Sequence, residues 1–593
     1  MSNAEQIWDL ESIFPGGSSS PELQMQLEAV RTQIAALQAQ VEALTSGLTL
    51  EQLKTLVHDM QDVQINLGQC RAFVSCLTAQ NVRDNKAKLL QGDLGQIGAS
   101  LAGVFTAIDH IFVSIPEEKW QSFLEDGELK ELKFALNERR DVAKIKMSPE
   151  LESLVTDLEV DGYHAWSHLY YTIVGDMSIE MELAGKPQTL SMGQAANLLS
   201  SPDPKVRQGV FEKYEQAWSE KAELFASTLN HLAGFRINLY KNRGWDDVLS
   251  EPLQRNRMER ATLDAMWAAV QGGKPHLVKF LERKAEILGL DQVAWCDLWA
   301  PVGDAGKEIP LAEAKTFVVD QLRKFSPDIA DFTERAIAKR WVEAEDRGGK
   351  RPGAFCTSLP LSKESRVFMT YSGTISSLGT LAHELGHAYH GYVLKDAPLF
   401  LRRYAMNVAE TASTFGELLV VDGAIGAAST PEEKLGILED KIGRSVSFFM
   451  DIHSRFLFET RFYDARKKGL VSAAQLNELM AGAQKEAFLD SLKEYHPHFW
   501  ASKLHFYSTG VPFYNFPYTF GYLFSAGVYA RAKAEGQGFA QNYARLLADT
   551  ARMSVEDLAK KHLGVDLTKP DFWEAAVKLA TDDVEEFLQL TQK

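Results

Sequence analysis

The stretch TLAHELGHAYH, Thr380 to His390, holds three histidines and a glutamate in eleven residues. His383 and His387 are four apart, so on a helix their rings share one face, a turn from each other, and can converge on a single point. A zinc ion needs just this from two of its ligands. Glu384 follows His383 directly and leaves the ligand face by about 100°. From there it can hydrogen-bond a water on the metal without binding the metal, the position of a general base. Zinc held here would draw the pKa of that water toward 7 and arm it against a carbonyl.

The neighbours Leu381, Ala382, Leu385, Gly386, Ala388 and Tyr389 are all uncharged. A buried helix whose polar face is its ligand face reads this way, and Ser376 and Ser377 can cap its start. The competing reading, two satisfied core histidines, leaves a glutamate buried beside them without a partner, which is costly. A catalytic zinc takes three protein ligands and keeps a fourth position open. The longer pattern with a third histidine fails, because its glycine position is His390 and its last histidine position is Val393. NVAETASTFGELL, Asn407 to Leu419, instead offers Glu410 and Glu417, seven apart and on one helical face. Glu410 is the expected third ligand, since small Ala409, Ala412 and Ser413 would let its helix come close; its other reading is half of a capping box begun by Asn407. Glu417 is expected behind the ligands, accepting the free N–H of a ligand histidine. His390, His496 and His498 receive no role, and a packed helix end is the expectation for His390.

A chain of 593 residues with 45% apolar and 24% charged positions can build the folded body that such helices require. Lys and Arg number 63 against 80 Asp and Glu, and the net charge of -17 disfavours phosphate backbones and anionic lipid. Neither nucleic acid nor a membrane is expected as a partner. The N-terminal MSNAEQIWDLESIFPGG lacks the basic start and apolar core of a secretory signal, and no apolar run is expected to reach the roughly 18 residues of a membrane span. Cys70, Cys76, Cys296 and Cys356 form no CxxC pair, so neither a disulfide framework nor a thiolate metal site is indicated. A cytoplasmic enzyme, monomer or homodimer, fits these features.

The expected fold class is mainly α, with a small β element near the metal helix. After Gly16 to Ser20, Pro21 opens a helix in which Leu23, Leu27, Val30, Ile34, Leu37, Val41 and Leu44 repeat at heptad spacing until Gly47. A dimerising coiled coil is one reading; the favoured one is a hairpin closed against Leu50, Leu53, Leu56, Val57 and Met60. Met177 to Met192 alternates about Gly185, Lys186 and Pro187 as a β-hairpin. The turn and fresh helix start at SSPDPKVRQGV place the main boundary at 200, giving an N-terminal helical domain, 1–200, and a catalytic domain, 201–593. RPGAFC (351–356) and VFMTY (367–371) read as short strands, the second expected to hold an extended substrate by strand addition. Gly353 and Gly373 would permit close backbone approach there, unless they serve turns alone.

Taken together, GGKRPGAFCTS, VFMTYSGT, TLAHELGHAYH, AETASTFGE and FYNFPYTFGYLFS resemble the thimet oligopeptidase family of zinc metallopeptidases, in particular its oligoendopeptidase F branch, across roughly residues 200 to 590; WDLESIF near the start is similar to that branch too. The resemblance implies an almost entirely helical fold enclosing a deep channel, one zinc per chain, and hydrolysis of short peptides. It matches His383 and His387 to the histidine ligands, Glu384 to the base and Glu410 to the third ligand. Taken alone, the aromatic run Leu504 to Gly527 reads as core. The resemblance instead implies histidine and tyrosine donors over the zinc from this region: Tyr522 first, in its Gly-Tyr-Leu context, then His505, with Tyr514 and Tyr518 behind. Thr519 departs from the family pattern, standing where thimet oligopeptidase has tyrosine. The leading function is a zinc oligoendopeptidase acting on oligopeptides; the alternatives are a carboxypeptidase with a similar channel and a catalytically dead peptide-binding scaffold.

Overall fold

The computed structural model describes residues 6–44, 47–183, 185–302 and 308–592. Helix takes 72% of the described residues and strand 4%, so the mainly α expectation holds. The first helix, α1 (Pro21–Ala43), is capped by the Ser20 hydroxyl, which accepts the Leu23 N–H at 3.3 Å. The second, α2 (Leu50–Gln80), starts in a capping box between Thr49 and Gln52. The heptad residues Leu23, Leu27, Val30, Ile34 and Leu37 are buried in one core with Leu53, Leu56, Val57 and Met60, so the repeat closes as a hairpin within the chain. Val41 and Leu44 are only partly buried, where the hairpin opens toward its loop.

The third helix, α3 (Asn85–Ser114), corrects one expectation. By length and composition it could cross a membrane, with mean hydropathy 1.5 over its most apolar 18 residues. Leucines, isoleucines, valines and phenylalanines scattered among small residues raise that average without forming an obvious apolar run. In the structure Leu90, Leu94, Ile97, Leu101, Val104, Ile108 and Phe112 form a buried stripe in the core shared with α1 and α2, while Gly92, Gly95, Ala99, Ala102 and Gly103 face outward.

Two strands, β1 (Ser178–Leu183) and β2 (Lys186–Ser191), pair antiparallel from Ser178 opposite Ser191 to Leu183 opposite Lys186, as the alternation predicts. Gly185, at φ +75°, makes the turn. A second sheet, of β3 (Val342–Glu343), β4 (Phe355–Leu359) and β5 (Glu364–Phe368), has the order β3-β5-β4. The expected strands shift here. Pro352 lacks an N–H and Gly353 sits at φ +92°, so β4 starts only at Phe355, while β5 begins three residues earlier than VFMTY and ends at Phe368. Being central, β5 is paired on both sides, parallel to β3 and antiparallel to β4, and cannot add a substrate strand. The two edge strands are β3, of two residues, and β4, of five.

Two helices follow, α4 (Ile375–Leu394) and α5 (Glu410–Ala427). By compactness the chain forms two units, each assembled from three stretches: 1–149, 307–420 and 531–564 in the first, 150–306, 421–530 and 565–593 in the second. The boundary expected at 200 falls inside the second unit. That unit is held by contacts distant in sequence, such as the helix Arg260–Leu288 on the helix Pro570–Leu590, where a Cβ on Gly273 would lie 2.4 Å from Val577 Cγ1.

Candidate metal centre

The metal helix α4 is capped by Thr374 rather than by Ser376 or Ser377. Its hydroxyl accepts the Ser377 N–H at 3.1 Å, and Ser377 Oγ accepts the Thr374 N–H at 2.9 Å. Two turns on, the His383 and His387 rings stand 5.0 Å apart and nearly perpendicular. Against them comes α5, and the approach is backbone to backbone: a Cβ on Gly386 would lie 2.4 Å from the Ala412 carbonyl oxygen and 2.6 Å from Ser413 Cα, and one on Gly416 would lie 3.2 Å from the Ala382 oxygen. The small residues at 412 and 413 thus do what their size suggests, and the two glycines complete the contact.

Glu410, the first residue of α5, is thereby brought to the histidines. Its Oε2 lies 3.2 Å from His383 Nε2 and 3.5 Å from His387 Nε2, and the three ligand atoms all fall within 4.8 Å of one another. Tetrahedral donors at about 2.0–2.2 Å from a zinc ion stand roughly 3.3–3.6 Å apart, so the set fits zinc. Glu417 Oε2 accepts from His383 Nδ1 at 2.9 Å, which fixes the ring's proton on Nδ1 and leaves the Nε2 lone pair for a metal. Ser413, absent from the sequence-based site, donates its hydroxyl to Glu410 Oε2 at 2.6 Å; its only signal was lying three residues after the ligand.

Burial sets the charges. It pushes His387 down to about 4, against the field of Glu410, so the ring is neutral at pH 7. It works to raise Glu410 as well, but His383, His387 and Ser413 overcome it and hold the carboxyl at about 2. Glu384 is also buried, and its Oε2 has no hydrogen-bond partner within the protein. Burial, reinforced by Glu410 and opposed by His383, pushes Glu384 up to about 7. A buried carboxylate oxygen with nothing to bind it is the mark of a group completed from outside the chain.

The remaining residues separate. His390 is fully buried, stacked 4.1 Å from Tyr404 and hydrogen-bonded at Nε2 to Thr550 Oγ1 at 2.9 Å, a packing role. Gly373, at φ +73°, is approached by the chain itself: its carbonyl accepts the Ile309 N–H at 2.8 Å, and a Cβ would meet Glu308 Cγ at 2.7 Å. In the second unit His505, Tyr514 and Tyr518 form a half-buried aromatic cluster, with ring centroids 5.1 Å apart for His505 and Tyr514 and 5.7 Å for the two tyrosines. His505 Nδ1 is buried without a partner, and burial, then Arg455 and Lys503, pushes the ring down to about 4. Tyr522 turns elsewhere: its ring stacks on Phe448 at 4.5 Å and its hydroxyl pairs with Ser445 Oγ at 2.9 Å, so this first choice is committed to the core of its unit. His496 and His498 both bond Glu215, His498 Nδ1 at 2.6 Å, a staple whose halves lie too far apart in sequence to be read from it.

Residues 197–579 match the family model for peptidase family M3, and residues 112–178 that for oligopeptidase F. The chain belongs to peptidase family M3. It is therefore a metallopeptidase, a hydrolase of the oligopeptidase type. Oligopeptidase PepF of Bacillus subtilis is 25% identical over all of this M3 chain and 88% of its own length. An oligoendopeptidase F homolog of Lactococcus lactis is 22% identical over 99% of this chain and 97% of its own. The crystal structure of oligoendopeptidase-F from Enterococcus faecium superposes with a TM-score of 0.71 at 17% identity, covering 96% of this chain and 99% of that one, a likeness of fold.

Proposed function

We propose that this M3 chain is a zinc-dependent oligoendopeptidase that hydrolyses internal bonds of short peptides, with His383, His387 and Glu410 as ligands and Glu384 as general base. The observation that carries the reading is the unpartnered, buried Glu384 oxygen beside three donors at zinc spacing. Zinc, when bound, supplies a Lewis acid that acidifies a water and polarises the scissile carbonyl. Glu384, raised toward neutrality, takes the proton of the attacking water on its carboxylate and delivers it to the departing amine. Glu417 holds His383 in the tautomer that leaves Nε2 free. His505, with its unpartnered nitrogen, and Tyr514 and Tyr518 beside it are the proposed donors to the oxygen of the attacked carbonyl, ahead of Tyr522. The sheet-edge strand β4 is the proposed rail for an extended peptide. The names of the Bacillus and Lactococcus relatives support oligopeptides as the substrate class.

The test is an end-blocked, internally quenched peptide of about ten residues, a length suited to strand-type binding. Internal cleavage should vanish with chelator and return with zinc. Release of single residues from free C-termini, with the blocked peptide untouched, would replace this reading by a carboxypeptidase.

A further inference from the structure

The first unit contains a cavity of about 230 Å³ that none of the metal ligands lines, between α2, the β4–β5 turn and the C-terminal end of α4. This is below the roughly 300–1,000 Å³ of pockets for drug-sized ligands, so its occupant is a fragment. Tyr392, Leu394 and Leu399 give it an apolar wall. Gln64 lines it from α2 while only 6% exposed, and neither its amide nitrogen nor its amide oxygen has a hydrogen-bond partner in the protein. A buried primary amide with both N–H donors and its carbonyl acceptor unused can pair with a peptide unit, whose C=O and N–H supply the reverse partners.

The lining carries Lys363, Lys395, Arg402 and Arg403 against one carboxylate, Glu364, which is engaged by Lys339 at 3.3 Å and Arg366 at 3.1 Å. Lys363 is paired with Asp396 at 2.7 Å, and Arg402 spends its guanidinium on the Ala397 and Pro360 carbonyls. Arg403 and Lys395 remain, and no carboxylate lies within ion-pair distance of either among the described residues; Lys395 instead lies 3.6 Å over the Tyr392 ring. Arg403 also sits in the fields of Arg139 and Arg71, an accumulation of like charge that a bound anion would relieve. Apolar wall, peptide-like amide partner and free guanidinium together describe the carboxylate end of a peptide.

We propose that this cavity binds the free C-terminus of a peptide, an apolar last residue filling it, its peptide unit on Gln64 and its carboxylate on Arg403 and Lys395. The proposal rests on the oligopeptidase reading and adds to it a preference for one end of the substrate. Gly391, which lines the cavity, is seven residues beyond Glu384 on α4, about 10 Å at 1.5 Å per residue, or roughly three extended residues. A peptide held by its end here would be cut about three residues in. The same chemistry is carried by a separate free peptide, such as a reaction product.

The experiment uses zinc-loaded full-length enzyme and one N-acetylated peptide of about ten residues in two forms, with C-terminal carboxylate or amide. Products are mapped by mass spectrometry. Wild type should favour the carboxylate form in kcat/KM by about tenfold, the scale of one hydrogen bond to a charged group. Arg403→Ala should abolish that preference while cleaving the amide form at the wild-type rate; Gln64→Leu should weaken it. If the two forms are cleaved equally, Gly-Leu is added to the amide assay: a change in rate in wild type but not in Arg403→Ala assigns the cavity to a separate peptide. No preference and no Gly-Leu effect overturns the site. If neither peptide is cleaved, the peptidase reading fails by itself, and calorimetry of Gly-Leu decides the cavity. Binding lost in Arg403→Ala upholds it, and no binding to wild type overturns it.

Discussion

Glu384 follows His383 in the chain and Glu417 bonds its ring, and removing the two should have opposite signatures. Glu384→Gln keeps the size of the side chain and the three ligands but loses the base. It should retain metal and lose kcat/KM by about 10²–10⁴-fold, the usual contribution of a positioned base. Metal content and turnover measured together check this, and a fully active Gln variant would remove Glu384 from the chemistry. Glu417→Ala frees His383 Nδ1, so zinc affinity should fall about 10–100-fold. A zinc titration with a competing chelator reads that loss, and unchanged affinity would show that the hydrogen bond does not orient the ring. The pair at 383 and 387 was legible because i, i+4 is a local relation that any helix enforces. Tyr522 was not, because its direction is set by a face of its helix shared with Thr519, and that face turns toward Phe448 and Ser445, far away in sequence.

The contact between α4 and α5 is the element on which the ligand set depends. Gly386→Ala places a Cβ against the backbone of Ala412 and Ser413, where no flexible side chain can yield. Overpacking of this kind costs about 1–3 kcal/mol, and here it also moves Glu410 from the histidines. Urea unfolding and zinc titration of the variant should both shift; if neither does, the helices have slack that these distances do not suggest. The closure of α1 on α2 was readable since two adjacent amphipathic helices with a short connection bury each other first. The strands near 351–371 were readable in existence but not in role: a central or edge position depends on β3, a two-residue strand with no periodicity of its own.

At the scale of the molecule, buried charge makes stability depend on pH. Lys274, fully buried in the second unit, meets His453 Nδ1 at 2.6 Å, and burial pushes the lysine down to about 7. Between pH 7 and the ordinary lysine range the unfolded chain holds a proton at this position that the folded chain has released. Stability from this residue therefore rises with pH through that window, by at most about 1.4 kcal/mol per pH unit. The difference in unfolding free energy between wild type and Lys274→Met, followed from pH 6.5 to 10, should show that slope, and a flat difference would mean that the lysine is not depressed. The two units themselves were beyond a linear reading of the chain, because each is completed by a stretch that returns hundreds of residues later. The unit that holds the metal ligands includes 531–564, where Tyr543 stacks on Phe415 of α5 and Thr550 bonds His390 of α4. At ribosomal speeds of about 5–20 residues per second, that stretch emerges on the order of half a minute to two minutes after the start of synthesis. All ligands will by then have left the ribosome, yet the packing behind them is still missing. A nascent chain thus carries its cutting residues long before it carries the body that aligns them.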